Sequence, residues 1–568
     1  MSTDNGILLS DFVGSSYEMD MRCASYEMSL NMFYEPIAKQ NDGYTKGILR
    51  SVDGNESVAV LGDNPDSGCK GLYTCSRGPD GTPDLYAVYD GTLYRIKSGM
   101  TAFSMGKMTA PATQVKMCES GGVNSHVVVT VGSGTTFVCP TLTSDTLARV
   151  KAVSNPMNPY NSGTSIDPDT GDMTGYPLKA THCCQMGNRV FINDSEYGQI
   201  FWSRPGAFQG GTLSVYRTEW NATSKTWDIV FESDGYTPKY KTVDADSYAW
   251  KDDSGAFQYM TVMSNSGDRV LAMETLNDNT IYVFGAHTFE AWALQDSDYV
   301  ISNTRMGVQI GIRAPYSLAK INNRLAWLGA GAAGDNGVWM IDNGDNPVKI
   351  SNPAIDRKLS KLANTSSSYG FGYTYGGHEF YILTIPDDDL TFVYDFTTGY
   401  WHNRSTRDAY RNVDHFWYPS FACNFNSKVY FGSYVANRLL LMNPSKHTEW
   451  DGRWIKRDRR SAVIISNLSK VIVNEFALIC NVGNTEVLDE SADGFKPRVM
   501  MRYSGDGGET WGNYVTETLG MAGDYEQNVR WTDLGMGTLF IIDVMLTDPA
   551  DFQISMGKIR YTPTRTFV

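Results

Sequence analysis

The feature that most constrains the fold of this chain is a short unit that recurs along most of its length. Each copy is a run of β-branched and aromatic residues, a turn rich in Gly, Asn or Asp, and a second such run. This order is typical of a β-hairpin, because branched and aromatic side chains favour strands and small polar residues favour tight turns. The copies span residues 85–96, 126–139, 189–202, 280–292, 324–341, 378–394 and 428–442.

The spacing of these hairpins indicates how they assemble. Their starts lie about 40 to 65 residues apart, with one gap near 90, which is the spacing of four-stranded propeller blades. An isolated hairpin exposes unpaired edges and an apolar face, whereas a closed ring of radial blades buries the faces and leaves only short edges. The sequence therefore predicts a mainly β protein, a β-propeller of six or seven blades with an inserted β-rich segment and a C-terminal β domain.

The repeat also predicts how the chain is divided. The long gap holds its own strands and aromatic residues, as expected of an excursion from one blade. We expect an N-terminal segment (1–67) that packs on the propeller or the C-terminal domain, a first group of blades (68–205), the inserted segment (206–262), a second group of blades (263–450) and the C-terminal β domain (451–568).

One helix is predicted against this β background. Asn352 is a suitable N-cap, and Pro353 occupies the first turn, where its missing N–H costs nothing. Ile355, Leu359 and Leu362 then fall on one face.

Composition and charge exclude several classes of protein. A chain that is 42% hydrophobic and 20% charged has the balance of a folded protein. Its formal net charge of −15 lacks the basic surface of a protein that grips nucleic acid over its whole face. No secretion signal is visible, and no apolar run reaches the roughly 20 residues of a membrane span, so we expect no membrane insertion. The nine cysteines are expected to be free, mostly buried thiols.

No pattern in the sequence supports a cofactor or a metal, and we expect neither. The string Gly329–Gly334 has the form GxGxxG, but a second strand rather than a helix follows it, which favours a hairpin turn. His182, Cys183 and Cys184 are consecutive, so in a strand they point to opposite faces and favour buried thiols over ligands. The acidic loop 167–172 lacks the distal Glu of a calcium loop.

An Asp-box lies in the C-terminal third of the chain. Ser504, Asp506, Gly508 and Trp511 match the pattern S-x-D-x-G-x-T-W, in which the Asp caps a tight hairpin and the Trp packs under the turn. Sialidase propellers repeat this box, which favours a glycan-binding or glycan-hydrolysing protein as an alternative function. Because only one copy occurs and no pair of catalytic carboxylates can be located, a structural role is the preferred interpretation, and we expect no enzyme activity.

The chain has one basic cluster. It comprises Arg453, Lys456, Arg457, Arg459 and Arg460, interleaved with two tryptophans. One interpretation is a docking patch for an acidic partner or for phosphates; the other is a solvated strand edge protected by charge. The sequence leaves both open.

Several segments in order resemble a known family. These are Ile281–Gly285 with Thr288, Glu290 and Trp292, then Gly307–Gly311, Val338–Ile341, Pro347–Ile350 and the helix from Ser351 to Leu362. Near the start, Asn31–Met32 followed by Gly47–Ser51 also resembles the family's opening. The family is that of the packaged-DNA stabilisation proteins, which form the tail hub, or nozzle, of short-tailed bacteriophages. The resemblance is best over residues 280–402.

This resemblance implies a structural virion protein made in the host cytoplasm and located in the tail. Six copies would form a homohexameric ring below the portal-adaptor protein, close or line the DNA exit channel, retain the packaged genome, and carry fibres, spikes or a needle. Genomic DNA would pass without sequence-specific contact. Six copies with a net charge of −15 each would carry −90, and an acidic lumen repels phosphate over about 8 to 10 Å. Retention would then be steric, and the basic cluster would dock a neighbouring tail protein.

Overall fold

The structure is a computed structural model, and strands dominate it. It describes residues 6–37, 47–108, 114–121, 125–157, 165–170, 173–208, 210–263, 267–295, 300–331, 334, 336–342, 346–465 and 470–564. Within these residues there is one α-helix, α1 (Pro353–Lys361), and no helix is long and apolar enough to cross a bilayer.

The first half of the chain contains the N-terminal strands and three sheets. The N-terminal strands are β1 (Gly6–Leu9), β2 (Tyr17–Glu18), β3 (Tyr26–Leu30), β4 (Met32–Pro36), β5 (Gly47–Ser51) and β6 (Gly54–Val60). Blade 1 follows with β7 (Gly71–Thr74), β8 (Leu85–Tyr89), β9 (Thr92–Ile96) and β10 (Ala102–Lys107). Blade 2 is β11 (Lys116–Glu119), β12 (His126–Thr130), β13 (Thr135–Pro140) and β14 (Lys151–Ser154), and a small hairpin, β15 (Ser165–Ile166) with β16 (Met173–Thr174), comes after it.

Blade 3 is interrupted by the inserted segment. It begins with β17 (Cys183–Met186), β18 (Arg189–Asn193) and β19 (Gln199–Trp202); the insertion contains β20 (Thr212–Tyr216), β21 (Thr218–Asn221), β22 (Thr226–Ile229) and β23 (Tyr240–Asp244); and β24 (Tyr259–Thr261) completes the blade. The predicted excursion from one blade is thus confirmed.

Four more blades follow. Blade 4 is β25 (Ala272–Asn277), β26 (Thr280–Phe284), β27 (Phe289–Leu294) and β28 (Ile301–Val308). Blade 5 is β29 (Ile310–Ile312), β30 (Ala319–Ile321), β31 (Arg324–Gly331), β32 (Asn336–Asp342) and β33 (Val348–Lys349). Blade 6 is β34 (Tyr369–Tyr375), β35 (His378–Ile385), β36 (Leu390–Asp395) and β37 (Tyr400–Asn403). A hairpin of β38 (Thr406–Asp408) and β39 (Val413–His415) follows it. Blade 7 contains β40 (Pro419–Phe425), β41 (Lys428–Ser433) and β42 (Arg438–Asn443).

The remaining strands belong to the C-terminal β domain. They are β43 (Arg457–Arg460), β44 (Ile464–Ile465), β45 (Val471–Cys480), β46 (Arg498–Ser504), β47 (Val515–Thr518), β48 (Arg530–Gly537), β49 (Leu539–Leu546) and β50 (Gln553–Pro563). Single turns of 3-10 helix occur at Ser10–Phe12, Asp246–Tyr248, Pro315–Ser317 and Pro386–Asp388.

Each predicted hairpin is the central strand pair of one blade. In blades 1 and 2 every residue of β8 and β12 is buried, because each blade is covered by a neighbour on both faces. The side chains of these two blades form one core that contains Val88, Val127 and Phe137. Together the described residues form a seven-bladed β-propeller, which lies within the predicted range.

The ring is closed by the N-terminal part of the chain. Strand β6 pairs antiparallel with β42 and so becomes the fourth strand of blade 7, with Leu439 opposite Ala59. Blades 7 and 1 then meet through a backbone hydrogen bond of 2.8 Å from the Cys69 N–H to the Ser433 carbonyl. Because one blade takes strands from two distant parts of the sequence, opening the ring requires breaking a complete ladder of hydrogen bonds.

The C-terminal domain is joined to the propeller through the N-terminal strands. Strand β3 lies parallel to β37 of blade 6 and antiparallel to β43, which in turn pairs with β49. Strand β5 pairs with both β4 and β50 in a second sheet. Sheet hydrogen bonds therefore run without interruption from blade 6 into the C-terminal domain.

The predicted helix is confirmed. The Asn352 side chain accepts a hydrogen bond of 2.9 Å from the Ile355 N–H, as an N-cap does. Ile355 and Leu359 pack into the core shared by blades 5 and 6. The GxGxxG string also follows the prediction, because β31 and β32 on either side of it pair as an antiparallel hairpin.

Candidate functional site

The basic cluster does not form an exposed docking patch. Strand β43 places Arg457 and Arg459 inside the protein with no exposed surface, and Arg460 is 8% exposed. Arg453 and Lys456 lie nearer the surface, but each is held by a carboxylate: Arg453 by Asp451 at 2.5 Å, and Lys456 by Asp414 at 2.8 Å.

The Arg459 side chain joins the N-terminal strands to β43. Its Nε donates to the Phe12 carbonyl at 2.5 Å, its Nη1 donates to the Ser29 hydroxyl at 3.1 Å, and its Nη2 lies 3.0 Å from the Glu27 carboxylate. A buried guanidinium is stable only when such partners replace its lost water. Each of the three nitrogen atoms of the Arg459 guanidinium therefore has a partner inside the protein.

Arg457 is held in the same way on the propeller side of the domain. Its Nη1 donates to the carbonyls of Ile455 and Asp548 at 3.1 and 3.2 Å, and its Nη2 donates to the His447 carbonyl at 3.3 Å. Burial lowers the pKa of Arg457 to about 10. No carboxylate within the described residues forms an ion pair with it.

Both sequence-based interpretations of the cluster are wrong for Arg457, Arg459 and Arg460. A docking patch and a solvated strand edge each require exposed side chains, whereas β43 is an interior strand with a neighbour on both sides. Sequence reasoning missed this because a run of four charged residues is almost never buried unless distant carbonyls and carboxylates are brought to it.

The other face of β43 carries a pair of buried carboxyl groups. A side-chain hydrogen bond joins Asp458 to Asp543, and the Oδ1 atom of each has no N–H or O–H donor unless one carboxyl keeps its proton. Burial, then the neighbouring Asp543, raises the pKa of Asp458 well above its usual range. Although burial opposes it, the hydrogen bond with Asp458 and the cations Arg460 and Arg502 lower the pKa of Asp543. We therefore assign the shared proton to Asp458.

The Asp-box residues form a tight turn beside this pair. The Asp506 carboxylate accepts hydrogen bonds from the Glu509 and Thr510 N–H groups at 3.1 and 3.0 Å, and from the Thr510 hydroxyl at 2.6 Å. The Ser504 hydroxyl accepts from the Gly508 N–H at 2.8 Å. These bonds lower the pKa of Asp506 to about 2, against the opposing effect of burial.

Trp511 connects the Asp-box to the buried charges. Its ring lies under the guanidinium groups of Arg502 and Arg460, at 4.7 and 5.4 Å. In this geometry the box serves the junction between β46, β49 and β43.

The inserted segment projects as a branched β arm. Strand β20 pairs with β23 at its base, and β21 pairs with β22 at its tip. Between them, backbone bonds of 2.8 to 2.9 Å among Arg217, Val230 and Lys239 form a three-way junction. The arm carries exposed aromatic side chains, most of all Tyr236, which is 88% exposed. Trp220 and Lys225 at the tip both donate to the Pro168 carbonyl, at 3.0 and 2.7 Å.

A cavity of about 810 Å³ lies on the axis of the propeller. We call it the axial cavity; the innermost strands of all seven blades line it, namely β7, β11, β17, β25, β30, β34 and β40. Gly370 and Gly372 of blade 6 line one wall, where blade 5 packs so closely that a Cβ would overlap the Ser317 carbonyl and the Ile321 side chain. Phe371 lines the same wall.

Five charged residues line this cavity. Ser76 and Ser125 donate hydrogen bonds to the Glu119 carboxylate, and Arg77 is exposed, so three charged side chains remain for the interior. Lys116 of blade 2 reaches across the axis and donates from Nζ to the Leu318 carbonyl at the start of blade 5, 2.8 Å away. Glu274 of blade 4 accepts a hydrogen bond of 3.1 Å from its own neighbour, the Thr275 N–H. Lys320 of blade 5 completes the set. Sequence reasoning missed these residues, because single charges in strands of three to six residues have no distinctive pattern.

The cavity charges are perturbed in the direction that burial requires. Burial lowers the pKa of Lys116 and raises the pKa of Glu274, while the two lysines partly offset the effect on Glu274. No ion pair joins Lys116 to Glu274 within the described residues. The cavity thus holds opposite charges that are not neutralised by direct contact.

The cysteines and histidines around the axis are structural. All nine cysteines are free, and six of them are buried, as expected. His182 is buried, stacks on Tyr316 and bonds to the Pro315 carbonyl, and burial lowers its pKa to about 3. No group of three or more metal-ligating side chains occurs in the part of the chain that the structure describes. Asp172 of the acidic loop 167–172 lies outside that part.

Comparison with solved structures returns propeller proteins at low identity. A virginiamycin B lyase from Staphylococcus aureus is 11% identical, with a TM-score of 0.37, over 67% of this chain and 97% of that chain. BBS1N in complex with ARL6DN is 11% identical, with a TM-score of 0.36, over 68% of this chain and 98% of that chain. No curated protein sequence matches the chain.

Comparison with protein families gives a match to a model described as "Phage_stabilise: Bacteriophage P22 Gp10, beta-propeller", over residues 251–446. The matched range begins at the end of the arm, takes in β24 and α1, and extends through blades 4 to 7. It contains the segments 281–311 and 338–362 that carry the resemblance in the sequence. Residues 251–446 of this chain are therefore similar to the β-propeller of the bacteriophage stabilisation family.

Proposed function

We propose that this protein is a subunit of the tail hub, or nozzle, of a short-tailed bacteriophage. Six copies form a ring below the portal-adaptor protein, line or close the DNA exit channel, retain the packaged genome and attach fibres, spikes or a needle. The role is structural rather than catalytic. The observation that carries the proposal is the family match over residues 251–446.

The interior of a single propeller supports a channel formed between copies rather than through one copy. The axial cavity is about 810 Å³, and the Lys116 side chain crosses it to the Leu318 carbonyl. A DNA duplex does not fit such a space, because the duplex is wider than its major groove, which by itself is about 12 Å wide. DNA must therefore pass between several subunits that surround it.

Net charge supports passage without adhesion. Six copies of a chain with net charge −15 repel phosphate at short range, and the densest basic run of the sequence is withdrawn into the interior at β43. Retention of the genome is then steric, by narrowing of the ring or by a plugging partner. The basic cluster has no docking role here, because Arg457, Arg459 and Arg460 are buried and carboxylates hold Arg453 and Lys456.

The experiment is a deletion of the coding sequence from the phage that encodes this chain. Particles made without the protein should package DNA and then lose it, so that purified heads are empty and lack tail density below the connector. Supplying the full chain in trans should restore filled particles, and averaged images should show a ring of six copies at the connector.

Two outcomes would overturn the proposal. Heads that stay filled without the protein would exclude genome retention. Depolymerisation of host capsule or lipopolysaccharide by the purified chain would favour the glycan-active alternative, and an Asp506→Asn variant would then test whether the Asp-box region takes part. A monomer in solution is compatible with the proposal, since rings of this kind can form only on the connector.

A further inference from the structure

The axial cavity has the properties of a ligand site. Its volume of about 810 Å³ lies within the range of small-molecule pockets. Its wall combines apolar side chains such as Leu72, Leu318 and Phe371 with polar and charged ones such as Lys116 and Glu274. This combination is typical of a site that fixes the orientation of a small molecule.

The charged groups define what such a molecule must carry. Lys116 uses one of its three N–H donors on the Leu318 carbonyl and keeps two. The Glu274 carboxylate receives one backbone hydrogen bond, although it can accept about four. Lys320, on the neighbouring blade, adds a second positive charge to the same space.

We propose that the axial cavity binds a small acidic amino acid, with its amino group on Glu274 and its two carboxylates on Lys116 and Lys320. A ligand with one positive and two negative groups complements Glu274, Lys116 and Lys320 in number and sign. The two other charged residues of the wall are Glu119, whose carboxylate accepts hydrogen bonds from Ser76 and Ser125, and the exposed Arg77. Its methylene groups lie against Phe371. This inference does not rest on the proposed tail function.

The environment of the three groups supports this choice over a neutral ligand. Lys116 and Glu274 are half-buried, and burial lowers the pKa of Lys116 and raises the pKa of Glu274 although each charge partly offsets this effect on the other. A ligand that brings the complementary charges restores the charged form of each. A neutral polyol supplies no such compensation.

The test is calorimetric titration of the full chain with L-glutamate as the probe. We expect saturable binding of one L-glutamate per chain. Glutarate, which lacks the amino group, and 4-aminobutyrate, which lacks one carboxylate, should each bind about tenfold more weakly. Absence of saturable binding at millimolar L-glutamate, or equal binding of all three compounds, would overturn the inference.

Variants locate the binding in the cavity. Lys116→Met and Glu274→Gln should each weaken binding of L-glutamate about tenfold, whereas Lys428→Met and Glu526→Gln, which change exposed residues elsewhere, should leave it unchanged. Lys320→Met changes an exposed side chain at the cavity and keeps the test decisive if the buried variants fail to fold. An unchanged affinity in Lys320→Met and in whichever buried variant folds would place the binding outside the axial cavity and contradict the proposal.

Discussion

At the scale of single residues, β43 shows how a strand of charges is stabilised in an interior. Alternate residues of a strand face opposite sides, so Arg457 and Arg459 point one way and Asp458 and Arg460 the other. Carbonyls of the N-terminal strands and the Glu27 carboxylate meet Arg459, and Asp543 meets both Asp458 and Arg460. Each partner is hundreds of residues or several strands away in sequence, so the strand is stable only in the complete fold.

Replacing Arg459 with Met should destabilise the protein severely. The change keeps most of the apolar stem but leaves Glu27 and the Phe12 carbonyl without their donor, and breaking a buried ion pair costs about 3 to 5 kcal/mol. Chemical denaturation monitored by tryptophan fluorescence measures the change in free energy of unfolding. Arg453→Met is the control, since its pair with Asp451 is local and partly exposed, and it should cost at most about 1 kcal/mol. Equal stability of the two variants would contradict the internal role of Arg459.

The carboxyl pair predicts a dependence of stability on pH. The raised pKa of Asp458 means that the folded state holds a proton that the unfolded state has released above about pH 4. The free energy of unfolding should therefore fall as the pH rises from about 4 toward the pKa of folded Asp458, because the unfolded state binds fewer protons there.

Asp458→Asn should flatten this pH dependence. The neutral amide can donate to Asp543 at every pH, as the protonated carboxyl does, so the variant should lose about 1 kcal/mol less stability than the wild type between pH 5 and pH 8. Urea denaturation at both pH values measures the difference. Asp493→Asn, at an exposed position, should follow the wild type. Parallel pH profiles for Asp458→Asn and the wild type would exclude the shared proton.

At the scale of elements, adjacent blades approach each other closely at glycines. Gly311 in β29 lies against the backbone of Ala286 and His287, in the turn between β26 and β27 of blade 4, and a Cβ at this position would overlap the Ala286 carbonyl. The Ile312 N–H donates to the Gly285 carbonyl at 2.9 Å beside it. A side chain here would push blade 5 away from blade 4.

Gly311→Ala should therefore destabilise the propeller by about 1 to 3 kcal/mol, the usual cost of overpacking. Gly307→Ala is a matched control, because no atom lies within 4 Å of a Cβ at that position, only four residues away. Thermal unfolding of both variants compares them directly. A Gly311→Ala protein as stable as Gly307→Ala would show that the two blades can separate without cost.

At the scale of the whole molecule, strand β6 closes the propeller ring, whereas the inserted arm takes no part in ring closure. Strand β6 covers the outer edge of β42, where Leu439 and Leu440 are buried. The two ends of the arm meet instead, since Thr212 pairs with Asp244 and the Ala245 N–H donates to the Gly211 carbonyl at 3.0 Å. The arm can thus be replaced by a short linker, because the residues at its two ends are already in contact.

Two replacements should separate these roles. A short Gly/Ser linker in place of residues 212–244 should change the thermal midpoint by no more than about 4 °C, because it breaks little of the blade core. A Gly/Ser sequence of equal length in place of residues 54–60 should lower the midpoint far more and abolish a single cooperative transition, because blade 7 loses a strand. Similar midpoints for the two proteins would contradict closure by β6.

The sequence predicted the elements whose residue types directly reflect the burial and the local conformation of each position. The hairpin at residues 126–139 reads as strand, turn and strand because its Val and Phe residues are buried on both faces. Asn352 likewise predicted the start of α1, because an N-cap side chain bonds only to backbone groups in the first turn of its own helix. The innermost strands, such as β17 and β30, are short and line the cavity, so their mixture of polar and apolar residues carries no clear period.

By itself, the amino-acid sequence determined the repeated hairpin, the position of the inserted segment, the helix that begins after Asn352 and the similarity of residues 251–446 to a phage family. Only the tertiary structure decided that β6 completes blade 7, that Arg457 and Arg459 are interior, and that Lys116, Glu274 and Lys320 share one cavity. The physical reason is the range of the interactions. Hydrophobic period, turns and caps act over a few residues, whereas ring closure and the burial of charge depend on groups that meet only after the chain has folded.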